Sequence, residues 1–424
     1  MADFKLNIDQ NKFLPTDGRE VHAVLTIESS GTVTTDTGPA EAAEIIIIDV
    51  SGSMSGSKIR DAREAASAAV QALRDGVHFA VIAGNHEAAV IYPQSGRLVP
   101  AHGASRKEAL GAIRRLGAGG GTEIGRWLQL AENLFRYHPN AIKHAILMTD
   151  GQNNQSADVF ARALQACEGR FVCDSLGIGE DWVPAELRKV AEALLGTSAF
   201  VRNQGDLAAF FRDLTQQSMG KTVAELALRL WAPQNSRIKF VKQVNPTLVE
   251  LTGKRTDVNP LTGDYPTGSW GAEERVYHLC VELDQPGQIG NEIRAGWVKL
   301  VLPDTQEVFA SGNVLAQWTD DLALSTRLNP KVAHYSGQAE MAVLIQEGLS
   351  ARDAGDLDTA TARLARARKI AVESGHGDTA RLLDKVVEID SSGTARLRRQ
   401  VDKADMIELD TGSVRTSKLR KEEG

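Results

Sequence analysis

The stretch EIIIIDVSGSMSGSK, residues 44–58, joins a short aliphatic segment to a loop of serines and glycines. A mostly apolar run such as residues 44–50 is typical of a parallel strand that is buried on both faces of a sheet. Asp49 stands near the end of the run, and Ser51 and Ser53 follow at alternate positions. In a doubly wound α/β fold, a polar loop between a strand and a helix lies at the carboxyl edge of the sheet, where ligands bind.

Alternating strand and helix patterns continue from this stretch for more than a hundred residues. Strands alternating with helices predict a doubly wound, Rossmann-like parallel sheet with helices on both faces. The strand-like segments are Phe79–Ala83, Ala88–Tyr92, His144–Thr149, Val172–Ile178 and Ala199–Arg202. The helix-like segments are Lys58–Leu73, Arg106–Leu116, Glu123–Tyr137, Ala157–Ala166, Pro184–Leu195 and Gly205–Met219.

On both sides of this region, polar and apolar residues alternate as they do in half-exposed strands. Phe4–Asp9 and Val21–Glu28 precede it, and Ser29–Ala40 reads as a loop. After about Lys221 the strand-like segments are Thr222–Trp231, Arg237–Val244, Thr247–Leu251, Arg275–Leu283, Glu292–Val301 and Val308–Ala316. These segments predict an antiparallel β-sandwich. If the two early strands belong to it, the α/β domain is inserted into the sandwich.

The last part of the chain is helical. Glu340–Ala354, Asp356–Glu373 and Thr379–Ile389 are separated by glycines that stop helices. The first two helices are spaced like one tetratricopeptide hairpin, which cannot bury its own face, so we expect it to pack on the rest of the protein or to form a three-helix bundle. The predicted domains are 1–40 (N-terminal sandwich strands), 41–220 (α/β domain), 221–325 (β-sandwich), 326–408 (helical segment) and 409–424 (flexible tail).

Composition narrows the functional classes. A net charge of −7 and a pI near 5.8 argue against a nucleic-acid binder, which usually has a basic face. The N-terminus has no apolar run of the kind that a secretory signal needs, and residues 45–48 are too few to cross a membrane. Three cysteines are a poor disulfide framework and suit a reducing compartment. We therefore expect a cytoplasmic protein that binds neither nucleic acid nor membranes.

The loop after residue 48 carries the candidate chemistry. Asp49, Ser51 and Ser53 place a carboxylate and two hydroxyls at alternate positions in a tight loop, so their oxygens can converge on one point. Such hard donors suit Mg²⁺, with Mn²⁺ or Ca²⁺ as alternatives, and suit zinc poorly. A phosphate-binding loop and a serine nucleophile elbow are also conceivable in residues 52–58. Both fail, because the spacing to the lysine is wrong and Met54 stands where the nucleophile should be.

Three separated motifs together resemble the von Willebrand factor A family. "DVSGSMSGSK" resembles its DxSxS motif, "GGGTEIG" places Thr122 at its coordinating threonine, and "ILMTDG" places Asp150 at its second aspartate. The resemblance covers about residues 42–218 and implies an intact metal-ion-dependent adhesion site. It implies that Ser51, Ser53 and Thr122 give hydroxyl oxygens to the metal, and that Asp49 and Asp150 act directly or through water.

The resemblance also implies a function and leaves alternatives. In this family the metal accepts an Asp or Glu carboxylate from a partner protein, and similar bacterial proteins often act as adaptors. We therefore expect a non-enzymatic binding module of multi-domain type, with an unidentified partner. A metal-dependent hydrolase using Asp49 and Asp150 is one alternative, although no general base is identifiable. A metal that serves only as a structural clip is the other.

The polar, basic end of the chain suggests a separate hypothesis. Thr411 and Thr416 lie in the sequence ELDTGSVRTSKLRK, which is typical of a flexible tail. Phosphorylation there could create a binding site for a phospho-dependent partner. A tail that only aids solubility is the alternative.

Overall fold

The computed structural model describes residues 4–31, 41–180, 182–202, 204–389, 395–398, 400–416 and 418. The chain divides into two compact units. One unit comprises Gly31–Ala224 and Gly268–Gly271, and it contains the α/β domain. The other comprises Ala2–Ser30, Glu225–Thr267 and Ala272–Gly424, and it contains the antiparallel sheets and the C-terminal helices.

Three strands precede the α/β domain: β1 (Phe4–Gln10), β2 (Phe13–Leu14) and β3 (Glu20–Ser30). The structure thus confirms both early strands and extends each of them. The predicted loop Ser29–Ala40 is wrong at its start, because Ser29 and Ser30 pair with a neighbouring strand and end β3. Residues 32–40 of that loop lie outside the described residues.

The α/β domain has a seven-stranded sheet of order β10-β9-β8-β4-β5-β6, in which β7 pairs with β5. Its strands are β4 (Ala42–Asp49), β5 (His78–Gly84), β6 (Ala88–Tyr92), β7 (Val99–Pro100), β8 (Ile142–Thr149), β9 (Val172–Ile178) and β10 (Ser198–Val201). β4 lies at the centre, parallel to β5 and β8. The prediction of a wholly parallel sheet is wrong for Ala88–Tyr92, which runs antiparallel to β5. Residues 85–87 alone join these strands, too short a link for a parallel crossover.

Six helices cover the faces of this sheet: α1 (Ser57–Ala72), α2 (Gly103–Arg114), α3 (Ile124–Phe135), α4 (Ala157–Cys167), α5 (Pro184–Ala193) and α6 (Leu207–Met219). The predicted helices are confirmed, with boundaries that shift by a few residues. On one face, Ile46 and Ile48 of β4 pack in a core with Ala62 and Ala66 of α1. Alanines on α1 allow the helix to approach the sheet closely, which keeps the loop between β4 and α1 short.

Glu44 is a fully buried charged residue near the start of β4, and a hydrogen-bonded network satisfies it. His144 Nδ1 lies 2.8 Å from Glu44 Oε1, and His144 Nε2 lies 3.0 Å from Asp174 Oδ2. Ser218 Oγ donates to the other oxygen of Glu44 at 2.9 Å. Burial alone lowers the pKa of His144, but the two flanking carboxylates raise it to about 10. The imidazolium therefore links three adjacent strands at the end of the sheet remote from Asp49.

The two larger sheets of the second unit are of antiparallel type and have the orders β1-β3-β16-β12-β13 and β14-β15-β11-β17-β18-β2. Their further strands are β11 (Val223–Trp231), β12 (Ser236–Asn245), β13 (Val249–Glu250), β14 (Thr256–Asn259), β15 (Thr262–Trp270), β16 (Ala272–Leu283), β17 (Glu292–Leu302) and β18 (Glu307–Trp318). The sheets contact each other through Phe4 and Phe309, whose ring centroids are 5.3 Å apart. β3 pairs with β16 from Glu20 opposite Glu282 to Ser30 opposite Ala272. The α/β domain is therefore inserted in the β-sandwich.

Sequence reasoning missed β14 and β15. Pro266, Gly263 and Gly268 interrupt the β15 pattern, and such residues usually mark loops. The predicted strand Thr247–Leu251 is reduced to β13, because residues 246–248 form a turn that contacts the C-terminal segment.

The C-terminal segment consists of α7 (Leu322–Ser325), α8 (Pro330–Asp353), α9 (Leu357–Glu373), α10 (Gly377–Val386), β19 (Val387–Ile389), β20 (Ala395–Leu397) and α11 (Lys403–Ser413). α8 starts ten residues before the predicted Glu340, where Asn329 caps it and Val332 and Tyr335 pack on Val24 of β3. The start of α8 thus packs on a strand of the sandwich, while α8 and α9 share a core with α10 and α11, so each predicted alternative holds in part. The predicted helix Thr379–Ile389 ends early, since Val387–Ile389 pairs with β20. None of the described helices has the length and apolarity needed to cross a membrane.

The prediction of a flexible tail at 409–424 is wrong for its first residues. α11 continues to Ser413, and Leu409 is fully buried in the helical core. Thr411 is 6% exposed and its Oγ1 donates to Ile407 O at 2.7 Å, so it is not an accessible phosphorylation site. Thr416 Oγ1 contacts Pro246 O at 3.2 Å, and its modification stays a prediction. Ser417 and residues 419–424 lie outside the described part of the chain.

Candidate metal centre

The two predicted aspartates meet at the carboxyl edge of the parallel sheet. Asp49 is the last residue of β4, and Asp150 directly follows β8, the neighbouring parallel strand. Both residues are fully buried. Thr149 Oγ1 donates to Asp49 Oδ2, which ties the ends of the two strands together. The parallel pairing of β4 with β8 is thus what brings residues a hundred positions apart to one place.

The serine loop between β4 and α1 is held by its backbone. Ser51 N–H donates to Asp49 Oδ1 at 2.7 Å. Gly52 N–H donates to Gly120 O at 2.9 Å, so the glycine-rich segment before Thr122 lies directly against the loop. Gly120 has a φ of +86°, and a Cβ there would lie 2.3 Å from His86 Nδ1. A glycine is therefore required at this contact.

The hydroxyls complete the cluster. Ser53 Oγ donates to Asp150 Oδ1 at 2.7 Å, and Ser51 Oγ lies 3.0 Å from Ser53 Oγ. A Cβ added at Gly151 would lie 3.0 Å from Thr122 Oγ1, 3.2 Å from Ser53 Oγ and 3.8 Å from Asp49 Oδ2. Oxygen atoms from three separate segments therefore surround one small space, which only a glycine at 151 leaves open. All five predicted residues, Asp49, Ser51, Ser53, Thr122 and Asp150, are brought together.

Sequence reasoning missed the residues that hold Thr122 in place. Asn154 Oδ1 accepts from Thr122 N–H at 2.7 Å, and Asn154 N–H donates to Thr122 O at 2.7 Å. Asn153 and Gln155 accept from the first N–H groups of α3, which have no partner within the helix. The available signal was the amide-rich run QNNQ, residues 152–155, directly after Asp150-Gly151.

Lys58 was also missed as part of the site. Its Nζ lies 2.5 Å from Asp150 Oδ2, and its side chain is 22% exposed. Burial raises the pKa of Asp49, while hydrogen bonds from Ser51 and Thr149 lower it. Among the described residues, the centre brings together the two buried carboxyl groups and the Lys58 ammonium. Carboxylate and hydroxyl oxygens are the donors that hard divalent cations prefer, so the residues present fit such an ion.

Two regions of the chain match described domains. Residues 43–200 match the von Willebrand factor type A domain, and residues 369–413 match the von Willebrand factor type A C-terminal domain. The latter region includes α11. The ArnB paralog VWA2 from Sulfolobus acidocaldarius has a TM-score of 0.60 at 14% identity, with 97% of this chain and 99% of that chain covered. That likeness concerns the fold alone.

Curated relatives match over part of their length. An uncharacterized protein of Synechocystis is 31% identical over 257 residues, which are 57% of this chain and 58% of that protein. The human inter-alpha-trypsin inhibitor heavy chain H4 is 29% identical over 295 residues, 63% of this chain and 31% of that protein. This chain thus spans less than two thirds of either relative.

A solved structure described as von Willebrand factor type A from Catenulispora acidiphila matches over nearly the whole length. It is 51% identical, covers 99% of this chain, is itself covered to 98%, and has a TM-score of 0.94. The order of the sheet around Asp49 and Asp150 agrees with the same assignment. The chain belongs to the von Willebrand factor type A family.

Proposed function

We propose that this chain is a divalent-metal-dependent protein-binding module or adaptor. In this proposal a metal-ion-dependent adhesion site at the edge of the α/β sheet holds the ion, and an Asp or Glu side chain of a partner protein completes the coordination. The observation that carries the proposal is the convergence of hydroxyl and carboxylate oxygens on the space beside Gly151. Both carboxyl groups are fully buried, which favours a cation beside them and so supports a resident metal ion.

The residues have distinct roles in this proposal. Ser51, Ser53 and Thr122 supply hydroxyl oxygens, and Asp49 and Asp150 act directly or through water. Mg²⁺ is the proposed ion, with Mn²⁺ or Ca²⁺ as alternatives, because all the donors are hard oxygens. A bound divalent ion with so few anionic ligands keeps enough positive charge to attract a further carboxylate.

The surroundings of the site suit the approach of a partner. The residues on its outer side are small and exposed, namely Gly52, Ser53, Ser55 and Gly120. Small residues leave the hydroxyl of Ser53 reachable by a side chain from another protein. In this proposal a single acidic side chain of the partner makes the central contact on this exposed side.

The two alternatives make different demands on the same site. A hydrolase needs a general base within hydrogen-bond reach of the reacting water. The described contacts of Asp49 and Asp150 are hydroxyls, a backbone N–H and the Lys58 ammonium, and none of these acts as a base. A metal that serves only as a structural clip needs no partner protein. The experiment below distinguishes this structural role from partner binding.

The test measures metal binding, stability and the capture of partner proteins for the same variant. Asp49→Ala should abolish Mg²⁺ binding measured by titration calorimetry, and should abolish capture of partners from native lysate. In the wild type, EDTA should release the same partners. Thr122→Ala gives a milder second variant if Asp49→Ala fails to fold. Lost stability with capture intact would support the clip, and interactors indifferent to EDTA would contradict the metal-bridged proposal.

We also propose that the protein works in the cytoplasm. Cys167, Cys173 and Cys280 are buried free thiols. Unpaired cysteines are typical of proteins from reducing compartments. Fractionation of source cells followed by immunoblotting tests this, and recovery of the protein outside the cytoplasm would contradict it.

A further inference from the structure

A group of unlike metal-ligating side chains lies in the β-sandwich, on strands that flank the inserted domain. Cys280 of β16 stands directly opposite His22 of β3, and Glu282 stands opposite Glu20. Residues two positions apart on a strand point to the same face, and residues directly opposite on a neighbouring strand share it. Glu20, His22 and Cys280 are therefore held side by side by the pairing of β3 with β16.

The ligand atoms of these three residues form a nearly equilateral triangle. Cys280 Sγ lies 3.8 Å from His22 Nε2 and 3.9 Å from Glu20 Oε2, and His22 Nε2 lies 3.6 Å from Glu20 Oε2. A point at the centre of this triangle is roughly 2.2 Å from each atom, which is close to the bond lengths of zinc to sulfur, nitrogen and oxygen. A zinc ion fits there without movement of the backbone.

The neighbours orient the ligands without occupying that point. His278 Nε2 lies 3.2 Å from His22 Nδ1, the ring nitrogen that faces away from Cys280. When His22 Nδ1 donates this hydrogen bond, its Nε2 keeps a lone pair directed at the triangle, as in the outer shell of zinc sites. Lys239 Nζ donates to Oε1 of Glu20, which leaves Oε2 for a metal.

The site is open to solvent on one side. Cys280 is fully buried, whereas the side chains of Glu20 and His22 are 41% and 30% exposed. An ion can therefore enter from the carboxylate side and reach a sulfur that is shielded from solvent. Three protein ligands leave a fourth position for water, the arrangement of an open zinc site.

A second cluster of this kind offers a useful contrast. Glu41, His78 and His138 also bring ligand atoms together in the α/β unit. His138 Nδ1 lies only 2.7 Å from Glu41 Oε1, which is hydrogen-bond distance. Ligand atoms on one zinc ion stand roughly 3.3 Å apart or more, given its bond lengths and tetrahedral angles. In that cluster the nitrogen and oxygen are too close together for one zinc ion, whereas His22 Nε2 and Glu20 Oε2 are 3.6 Å apart.

We propose that Glu20, His22 and Cys280 bind a zinc-class transition-metal ion, separate from the magnesium-type centre of the α/β domain. Sulfur and imidazole donors select zinc over the hard ions that suit Asp49 and its neighbours. The ion would join β3 to β16, and binding would release the thiol proton because the ligand is the thiolate. This proposal is independent of the adhesion-site function.

The test uses Co²⁺ as the probe on the full-length, metal-stripped protein. A cobalt–thiolate charge-transfer absorption band should appear at one equivalent and disappear when Zn²⁺ is added. It should be absent in Cys280→Ser and present in the matched control Cys167→Ser. Asp49→Ala should leave it unchanged, which separates this site from the adhesion site.

A less disruptive variant tests the same proposal if Cys280→Ser fails to fold. His22→Gln removes one ligand at a half-exposed position and should weaken Co²⁺ binding by more than the roughly 10- to 100-fold that loss of an outer-shell partner causes. Near-ultraviolet circular dichroism checks the fold of each variant. Absence of the band in the wild type, or its persistence in Cys280→Ser, would overturn the proposal.

Discussion

Replacing Lys58 by methionine should have opposite effects on the stability of the metal-free protein and on its affinity for Mg²⁺. Methionine keeps the length and apolar stem of lysine and removes only the ammonium. That ammonium lies 2.5 Å from Asp150 Oδ2, and Asp150 is fully buried. A bound metal supplies positive charge at the same place, so the loss of Lys58 matters less in the metal-bound protein.

The magnitude follows from the burial of the pair. Removing one partner of a fully buried ion pair costs about 3–5 kcal/mol, and an exposed pair contributes about 0–1 kcal/mol. Asp150 is fully buried but the Lys58 side chain is 22% exposed, which places this pair between the two limits. We expect the free energy of unfolding without metal to fall by about 2 kcal/mol. By thermodynamic linkage, Mg²⁺ should then bind about 30-fold more tightly.

Urea unfolding in EDTA measures the first quantity, and titration calorimetry with Mg²⁺ measures the second. Lys58→Arg keeps the charge and should change both much less. Lys107→Met, on the exposed surface of α2, is a matched control for loss of a lysine and should change neither. Unchanged stability in EDTA, or weaker Mg²⁺ binding by Lys58→Met, would refute the view that the ammonium takes the place of the ion.

Three further perturbations test the site and the two halves of the fold. Gly151→Ala places a methyl group 3.0 Å from Thr122 Oγ1. Calorimetry should then detect no Mg²⁺ binding, while circular dichroism should show a folded protein. Normal Mg²⁺ affinity would contradict the proposed position of the ion beside Gly151. His144→Gln should lower stability by about 3–5 kcal/mol in urea unfolding near pH 6, because two buried carboxyl groups lose their cation. The pKa of His144 is raised from 6.5 to about 10, so its contribution to stability is complete below pH 6.5 and is lost as the pH rises through 10. A stability difference between variant and wild type that persists above pH 10 would contradict this. Leu409→Ala should cost about 2–5 kcal/mol because the side chain is fully buried, whereas a thermal melt identical to wild type would mean that α11 is dispensable.

The sequence predicted best those strands whose local hydrophobic pattern agrees with their place in the sheet. The aliphatic run of β4 is buried on both faces, so its hydrophobicity alone identified a central strand and located Asp49 at its end. Val21–Glu28 was also predicted as a strand of the sandwich, although Ala23–Ile27 are buried on both faces and not half-exposed. β15 escaped because Pro266 and its glycines look like a loop, although the neighbouring strands β11 and β14 hold it in the sheet.

Side-chain contacts made across the fold could not be predicted in the same way. The five motif residues were found because their types and spacing are distinctive. Lys58 carries no such signature and Asn154 only the weak one of its amide-rich neighbours, so their roles depend on where an ammonium and an amide lie after folding. The tail was mistaken for a disordered segment because residues 408–413 are mostly polar. The decisive facts were the burial of Leu409 and the backbone partners around Pro246.

The pairing of β3 with β16 has a consequence for biosynthesis. Ser30 leaves the ribosome long before its partner Ala272 has been made, and at about 5–20 residues per second the delay is roughly 10–50 s. During that time the edge of β3 that later pairs with β16 has unpaired backbone groups, which are a template for association with other chains. The α/β domain can fold in the interval, since its strands are all made by residue 201. Nascent chains stalled before Ala272 should therefore be the species that chaperones bind most strongly.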